Sequence, residues 1–415
     1  MNDNLEFITL DNGLTVLIYS DKTKMSNHVE LTTFIGGLTP IYKDENGKIR
    51  KIKPGTAHLL EHYICENAKK GNLIDNLHEY KVLNANAVTA ADKTKMFFDT
   101  VYNLNECLEL FLDSMYNIDF TSEKLEKTKY AVYNEIRDSK DNIGRKIYRA
   151  KIKNIFENIR DTLGTKTSIN SIGYKYLEAV YKNFYVPKNQ LLVVAGSFDE
   201  EDILNQIKAF YNNYEFKNNK KAPRLIDSSD KIKRKESEIE GEDLNEIIIS
   251  YKIKDNHMTN FERYKLDWYL NYFKEINLSK YSLLNETLKK ENIIAGDLSS
   301  HVYDMNGYKI LEVLAYTDNK EKFIKLVKDT IDNFNNTKEE LELRKKANIL
   351  HISVRKDRIS NHVLPIIDNY LEFDYPYNDT IEFVESLNYE EYLETINNIN
   401  FDNYSILTVK GSNQK

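Results

Sequence analysis

The chain has 415 residues, of which 41% are hydrophobic and 30% charged, with a formal net charge of −7 and two cysteines. That length exceeds what one hydrophobic core organises, so two domains are expected. The negative charge argues against a nucleic-acid partner, no apolar run approaches the roughly 18 residues of a membrane span, and two thiols cannot staple a chain this long.

The opening MNDNLEFITLDNG has no basic-then-apolar leader, and with so few cysteines it sets an expectation of a reducing, cytoplasmic location. FITL, GLTVLIY and HVELTTFI read as strands, with Asp11-Asn12-Gly13 as a hairpin-type turn. Pro54 and Thr56 then open an amphipathic helix that carries GTAHLLEHYICENA, from Gly55 to Ala68. Further helical patterns run over 104–117, 121–142 and 171–183. NQLLVVAGSF (189–198) reads as a buried strand, and Asp199 as the cap of the next helix. The lysine-rich, polar stretch 216–235 is the expected linker between a domain at 1–215 and another at 236–415.

The second half repeats the first. DFTSEKLEKTKYAVYNEIRDSKDNI (119–143) aligns with NFNNTKEELELRKKANILHISVRKDRI, placing Leu125 over Leu341, and LLVVAGS (191–197) aligns with ILTVKGS (406–412). Both segments give an offset of about 215 residues, too long a period for a solenoid. The expected fold is therefore α+β: two homologous α/β-sandwich domains, each an antiparallel-rich sheet packed by helices. The second copy has no counterpart of the histidine pair.

On a helix, His58 and His62 project from one face a turn apart. That spacing lets two imidazoles reach one tetrahedral ion at Zn–N distances of about 2.0–2.1 Å. Glu61 borders the same face; it is poorly placed to share an ion with its neighbour His62 but well placed to take a proton from an activated water. With 8 histidines and 65 acidic residues in the chain, H-x-x-[D/E]-H arises by chance in roughly 2 such chains in 100. The motif alone is suggestive, and an exposed helix with fortuitous polar residues is the plain alternative. A third group sharpens it. The helix at 121–142 has an apolar face through Leu125, Val132 and Ile136, with Ala131 on its flank. Glu135 lies about 60° from the centre of that face, Glu126 and Asp138 about 120° off, and Glu123 opposite. Glu135 is thus the acid expected to point inward, where it needs either a metal ion or an internal Arg or Lys.

These residues resemble the pitrilysin-type, or inverzincin, metallopeptidases: His58-Leu59-Leu60-Glu61-His62 followed 73 residues later by Glu135 matches their H-x-x-E-H…E signature. GTAHLLEH matches the family's usual run into the helix, and Asn86-Ala87-Val88-Thr89 stands where the family reads Asn-Ala-x-Thr. The resemblance is closest to the half-size branch that includes mitochondrial processing peptidase and bacterial relatives. It implies one zinc ion per chain held by His58, His62 and Glu135, with Glu61 as general base. It also implies that Asn86, Ala87, Val88 and Thr89 lie on or beside an edge strand to which an unfolded peptide adds. The implied activity is endopeptidase cleavage of short unstructured peptides in a chamber closed by a second, related chain, as a homodimer or heterodimer. A non-catalytic peptide-binding or assembly subunit is the alternative.

The chain departs from the family pattern in three ways. Glu135 comes a few residues early, which implies a shorter loop. A second glutamate usual seven residues before the distal ligand is replaced by Thr128. The Arg and Tyr that hold the substrate carbonyl in full-size relatives align with Lys289 and Gly296, and a glycine offers no side-chain donor. A partner chain supplying those donors is the expectation that follows. His351, at the repeat position equivalent to Glu135, lacks partner ligands in its half, and Cys65, a turn from His62, is read as structural.

Overall fold

The computed structural model describes residues 5–412 apart from 45–46, 69–70, 158–159, 217–218, 222–228, 243, 256, 356–357, 376 and 378–379. The first half contains β1 (Leu5–Thr9), β2 (Thr15–Ser20), β3 (Asn27–Thr33), a β4–β5 hairpin (Ile41–Lys43, Ile49–Lys51), α1 (Thr56–Glu66), α2 (Leu73–Glu79), β6 (Asn84–Thr89) and β7 (Thr94–Thr100). It continues with α3 (Leu104–Tyr116), α4 (Ser122–Asp138), α5 (Ile143–Ile155), α6 (Lys166–Asn170), α7 (Tyr174–Phe184), β8 (Gln190–Gly196) and α8 (Glu200–Tyr211). The second half contains β9 (Glu236–Glu240), β10 (Glu246–Lys254), α9 (Asn260–Asn277), α10 (Leu283–Lys290), β11 (Ala295–Met305) and β12 (Tyr308–Tyr316). There follow α11 (Lys320–Asp332), α12 (Lys338–Arg355), α13 (Ile359–Phe373), α14 (Ile381–Ser386), α15 (Tyr389–Asn397) and β13 (Tyr404–Lys410).

The chain divides into two compact units. One comprises Met1–Ser139, Arg160–Leu225 and Asp357–Val363; the other comprises Lys140–Ile159, Ile226–Lys356 and Leu364–Lys415. The division is therefore not a single cut near residues 216–235, a stretch that itself lies partly outside the described residues at 217–218 and 222–228. Its described end belongs to the second unit, where the Lys233 and Arg234 amides both donate to the Asn154 carbonyl at 2.9 Å.

In the first unit the strand order is β1-β2-β8-β3-β7-β6. The β2–β8 pair is parallel and the others antiparallel. In the second the order is β11-β12-β10-β13-β9, with β13–β9 the parallel pair. Without β1, the first sheet reads β6-β7-β3-β8-β2 and superimposes on the second in order and in the place of its parallel pair. The duplicated α+β architecture expected from the repeat is the one observed. Inner strands such as β3 and β8 are buried along their whole length, as strands covered on both sides must be.

Local chemistry sets the element ends. The strand FITL and its turn appear as expected, with Gly13 at φ +85. Helix α1 begins at Gly55, not through a side-chain cap: Gly55 has φ +85, and a Cβ there would lie 2.6 Å from both Ile169 Cδ1 and the Leu163 carbonyl oxygen. Glycine is therefore required twice over, by conformation and by space. The expected helix over 121–142 instead stops at Asp138. The Asn142 side chain accepts from the Arg145 amide and starts α5 as a separate helix. Asp199 does cap its helix, accepting from the Asp202 amide at 3.1 Å.

Helix α5 belongs to the second unit, where Ile143, Ile147 and Ala150 pack on Ile248, Leu407 and Val409 of the sheet. Within the first unit, α1 is the central helix. It packs on α4, β6, β7, α2, α3 and α7, and Leu59, Leu60, Tyr63 and Ile64 are fully buried. At about 1.5–3 kcal/mol for each such side chain, this burial fixes the helix that carries the histidines.

Candidate metal and catalytic site

Helix α1 is buried nearly all round, so its polar residues sit inside the unit and must find partners there. Helix α4 lies against it with Leu125, Val132 and Ile136 buried, as their spacing predicts. That packing turns Glu135 toward α1. His58 Nε2 lies 3.3 Å from Glu135 Oε2, and His62 Nε2 lies 3.0 Å from Glu135 Oε1. The imidazole rings are 4.7 Å apart and nearly perpendicular, at 77°. Glu135 thus meets two histidines, where the plain alternative had it paired with an internal Arg or Lys.

The donor set fits a zinc ion. Ligands at about 2.0–2.1 Å in a tetrahedron stand roughly 3.3 Å from one another, close to the two nitrogen–oxygen separations found here. One side remains open, because the Glu135 side chain is 44% exposed while those of His58 and His62 are 10% and 19%. A distance criterion alone groups His58, Glu61 and His62, with ligand atoms within 4.8 Å. We favour Glu135 over Glu61 as the third donor, because it makes the direct contacts and adjacent side chains on a helix diverge.

The electrostatics follow from these contacts. The imidazoles of His58 and His62 hold the Glu135 carboxyl far below the usual carboxylate range, against the effect of burial. Burial by itself would lower the His62 imidazole, but the carboxylates of Glu135 and Glu66, with Glu61 further off, raise it to about 10. Burial pushes the Cys65 thiol up, and Glu61 and Glu66 add to the effect. Cys65 therefore stays a protonated, buried side chain, as its structural reading expects.

Glu61 is only 8% exposed, and one of its oxygens is held. The Thr89 hydroxyl donates to Glu61 Oε2 at 2.5 Å. Thr89 ends strand β6, one of the two edge strands of the first sheet, whose residues alternate between exposed and half-buried. Asn86 and Val88 face outward while Ala87 and Thr89 face in. The Asn86 side chain caps the neighbouring Ala87 amide at 2.9 Å. The four residues of the Asn-Ala-Val-Thr stretch therefore lie on an edge strand that also touches the candidate base.

Two contributors escaped sequence reasoning. One is the Thr89–Glu61 bond, which depends on how β6 meets α1. The other is Glu66, whose Oε1 lies 3.6 Å from His62 Nδ1 and whose Oε2 accepts from Thr128 at 2.8 Å. The available signal for Glu66 was its i+4 spacing from His62. In the second unit, Lys289 is bound to Asp297 at 2.8 Å. Gly296 has φ +93 beside an irregularity in the β11–β12 pairing, a backbone conformation that explains a glycine there.

Residues 50–163 match the family model described as Insulinase (Peptidase family M16), and residues 171–348 match Peptidase M16 inactive domain. The chain is 26% identical over 306 residues to the uncharacterized zinc protease YmfH of Bacillus subtilis, covering 71% of this chain and 70% of that one. Zinc protease PqqE of Helicobacter pylori is 26% identical over 213 residues, covering 50% and 46%, so the match spans about half of that relative's length. The fold is that of an M16-like peptidase from Alicyclobacillus acidocaldarius, with TM-score 0.86, 18% identity and 99% coverage of both chains. It is also that of pitrilysin, with TM-score 0.74 and 17% identity, covering 99% of this chain but 45% of that one. With both halves matched by models of one family, and with its sheets and helices arranged as in that family's structures, this chain belongs to the pitrilysin-type M16 peptidase family.

Proposed function

We propose that this chain is a zinc-dependent endopeptidase that cuts short, unstructured peptides. The observation that carries the reading is the Glu135 carboxylate reaching both His58 and His62 from a second helix. Zinc bound by these three side chains would supply Lewis-acid activation of water for attack on a peptide carbonyl. The chain's own residues do the rest. Thr89 holds Oε2 of Glu61, which leaves Oε1 to accept a proton from the attacking water and pass it to the leaving amine. Strand β6 offers its free edge to an extended peptide, which selects unfolded backbone over folded protein. A peptide paired there would displace the Asn86 side chain from the Ala87 amide.

The same proposal includes a second chain. Pitrilysin and the periplasmic protease PqqL of Escherichia coli accommodate this fold in 45% and 48% of their lengths, so each has room for two such halves. Lys289 engaged with Asp297 and a glycine at 296 leave the substrate oxyanion without the expected side-chain donors from this chain. A partner, either a second copy or a relative without the histidines, would supply them. That feature also supports the alternative of a metal-holding subunit without turnover of its own.

The test is zinc content per chain, together with hydrolysis of an unstructured quenched-fluorescent peptide, for wild type and Glu61→Gln. Near one zinc in both proteins, with turnover only in the wild type, is the expected result. A wild type without zinc refutes the reading. Zinc without turnover in the wild type moves the chain to the subunit alternative.

A further inference from the structure

We propose that Glu66 is the positioning residue for the His62 imidazole, and that Thr128 holds Glu66 in that task. The inference rests on the zinc-site reading above and concerns what fixes the ring, a role that nothing in the ligand pattern assigns to either residue.

His62 Nε2 faces Glu135, so Nδ1 is the nitrogen left to carry a proton. An imidazole that binds a metal through one nitrogen is oriented by the acceptor on the other. Glu66, one turn further along α1, places Oε1 3.6 Å from that Nδ1. By itself this is an ion pair a little longer than a hydrogen bond, made by a side chain free to rotate away. Its second oxygen removes that freedom. Thr128, fully buried on α4, donates to Glu66 Oε2 at 2.8 Å. Thr128 is itself approached by the Asn67 amide at 3.4 Å, and that amide is anchored on the Tyr63 carbonyl at 2.9 Å.

The two helices therefore meet twice along matched stripes. His62 and Glu66 are four residues apart on α1, and Thr128 and Glu135 are seven apart on α4, so both pairs repeat on one helical face. One meeting brings Glu135 to the ring and the other brings Thr128 to the carboxylate behind the ring. His58 shows the contrast. Its Nδ1 is buried without a hydrogen-bond partner among the described residues, so this support serves one of the two imidazoles only.

The experiment measures zinc affinity by competition with a chromophoric chelator, and the visible spectrum of the Co2+-loaded protein, for wild type, Glu66→Gln, Thr128→Val, Thr128→Ser and Glu66→Gln/Thr128→Val. Glu66→Gln should weaken zinc about 10–100-fold and shift the cobalt bands. Thr128→Val should weaken it about 5-fold, as the loss of one hydrogen bond, while Thr128→Ser keeps the hydroxyl and the affinity. The double variant should be no weaker than Glu66→Gln, because Thr128 acts only through Glu66. Wild-type zinc affinity in Glu66→Gln, or losses that multiply in the double variant, overturn the inference while leaving the zinc site intact. A wild type that binds no zinc overturns both. Should Glu66→Gln fail to fold, the Val and Ser pair at Thr128 decides the matter, since equal affinities there refute the proposal.

Discussion

Removing the hydroxyl that holds the proposed base, by Thr89→Val, keeps the side-chain shape and leaves Glu61 Oε2 without its donor. The bond is short, at 2.5 Å, and its acceptor is a buried carboxylate, which puts it among charge-assisted hydrogen bonds of about 1.5–3 kcal/mol. If Glu61 needs that bond to stay aimed at the water, the full amount enters the barrier, and kcat falls about 10–150-fold at 1.4 kcal/mol per decade. Thr94 cannot take over, because its own proton goes to the Ile35 carbonyl at 2.8 Å and its hydroxyl lies 3.4 Å from that of Thr89. The assay is steady-state hydrolysis of a quenched-fluorescent peptide, with zinc content measured on the same samples. Thr89→Ser should restore most of kcat, and zinc should stay near one per chain throughout. A Thr89→Val protein with full zinc and wild-type kcat would show that Glu61 is held by something else or is not the base.

Zinc uptake should also depend on pH. Without metal, His62 is raised to about 10 by Glu135 and Glu66 despite its burial, so the ring is protonated at neutral pH and zinc must displace that proton. Apparent affinity should climb about tenfold per pH unit from 7 to 8.5, and calorimetry in buffers of different ionisation heat should count one proton released; a flat affinity would refute this. Ala87→Pro removes an amide proton that bonds to the Asn86 side chain. It should raise KM for peptides with little change in zinc content, as expected for an edge strand that pairs with substrate; an unchanged KM would show that the substrate bypasses β6. In the second unit, Lys309 is fully buried against Asp304 at 2.7 Å, Asp267 at 3.0 Å and Glu372 at 2.5 Å. Lys309→Met should cost about 3–5 kcal/mol in urea unfolding. Burial raises the Asp304 carboxyl and Lys309 holds it down, so without the lysine the folded state takes up further protons as pH falls, and the deficit should shrink toward pH 5. A neutral effect of Lys309→Met at pH 7 would count against this account.

The helix that carries the histidines was legible because its signal is local. The i, i+4 spacing of His58 and His62, and the angular position of Glu135 on an apolar face, depend only on helix geometry. The same holds for the duplicated sheets, since a repeat with one offset carries its strand order with it. What sequence reasoning missed depends on contacts between elements. Thr89 reaches Glu61 only because β6 lies beside α1, and Thr128 stood out in the sequence as a missing carboxylate, whereas in the fold it aims one supplied from α1 by Glu66. The end of α4 at Asp138 was hidden by residues 139–141, which do not break a helix by composition; it is the Asn142 cap that starts a new one. The β4–β5 hairpin, at Ile41–Lys43 and Ile49–Lys51, is too short for a periodic signal.

Helix α5 carries a cost in time. Its apolar face, through Ile143 and Ile147, is made early, but the sheet it covers is complete only when β13 emerges about 250 residues later. At roughly 5–20 residues per second, a growing chain waits about 10–50 s with that face unsatisfied. For that interval the helix is open to capture by a chaperone or by a neighbouring nascent chain. A fragment ending near residue 215 never leaves that state, so the histidine-bearing half made alone is expected to aggregate through α5 even though all of its proposed ligands are present.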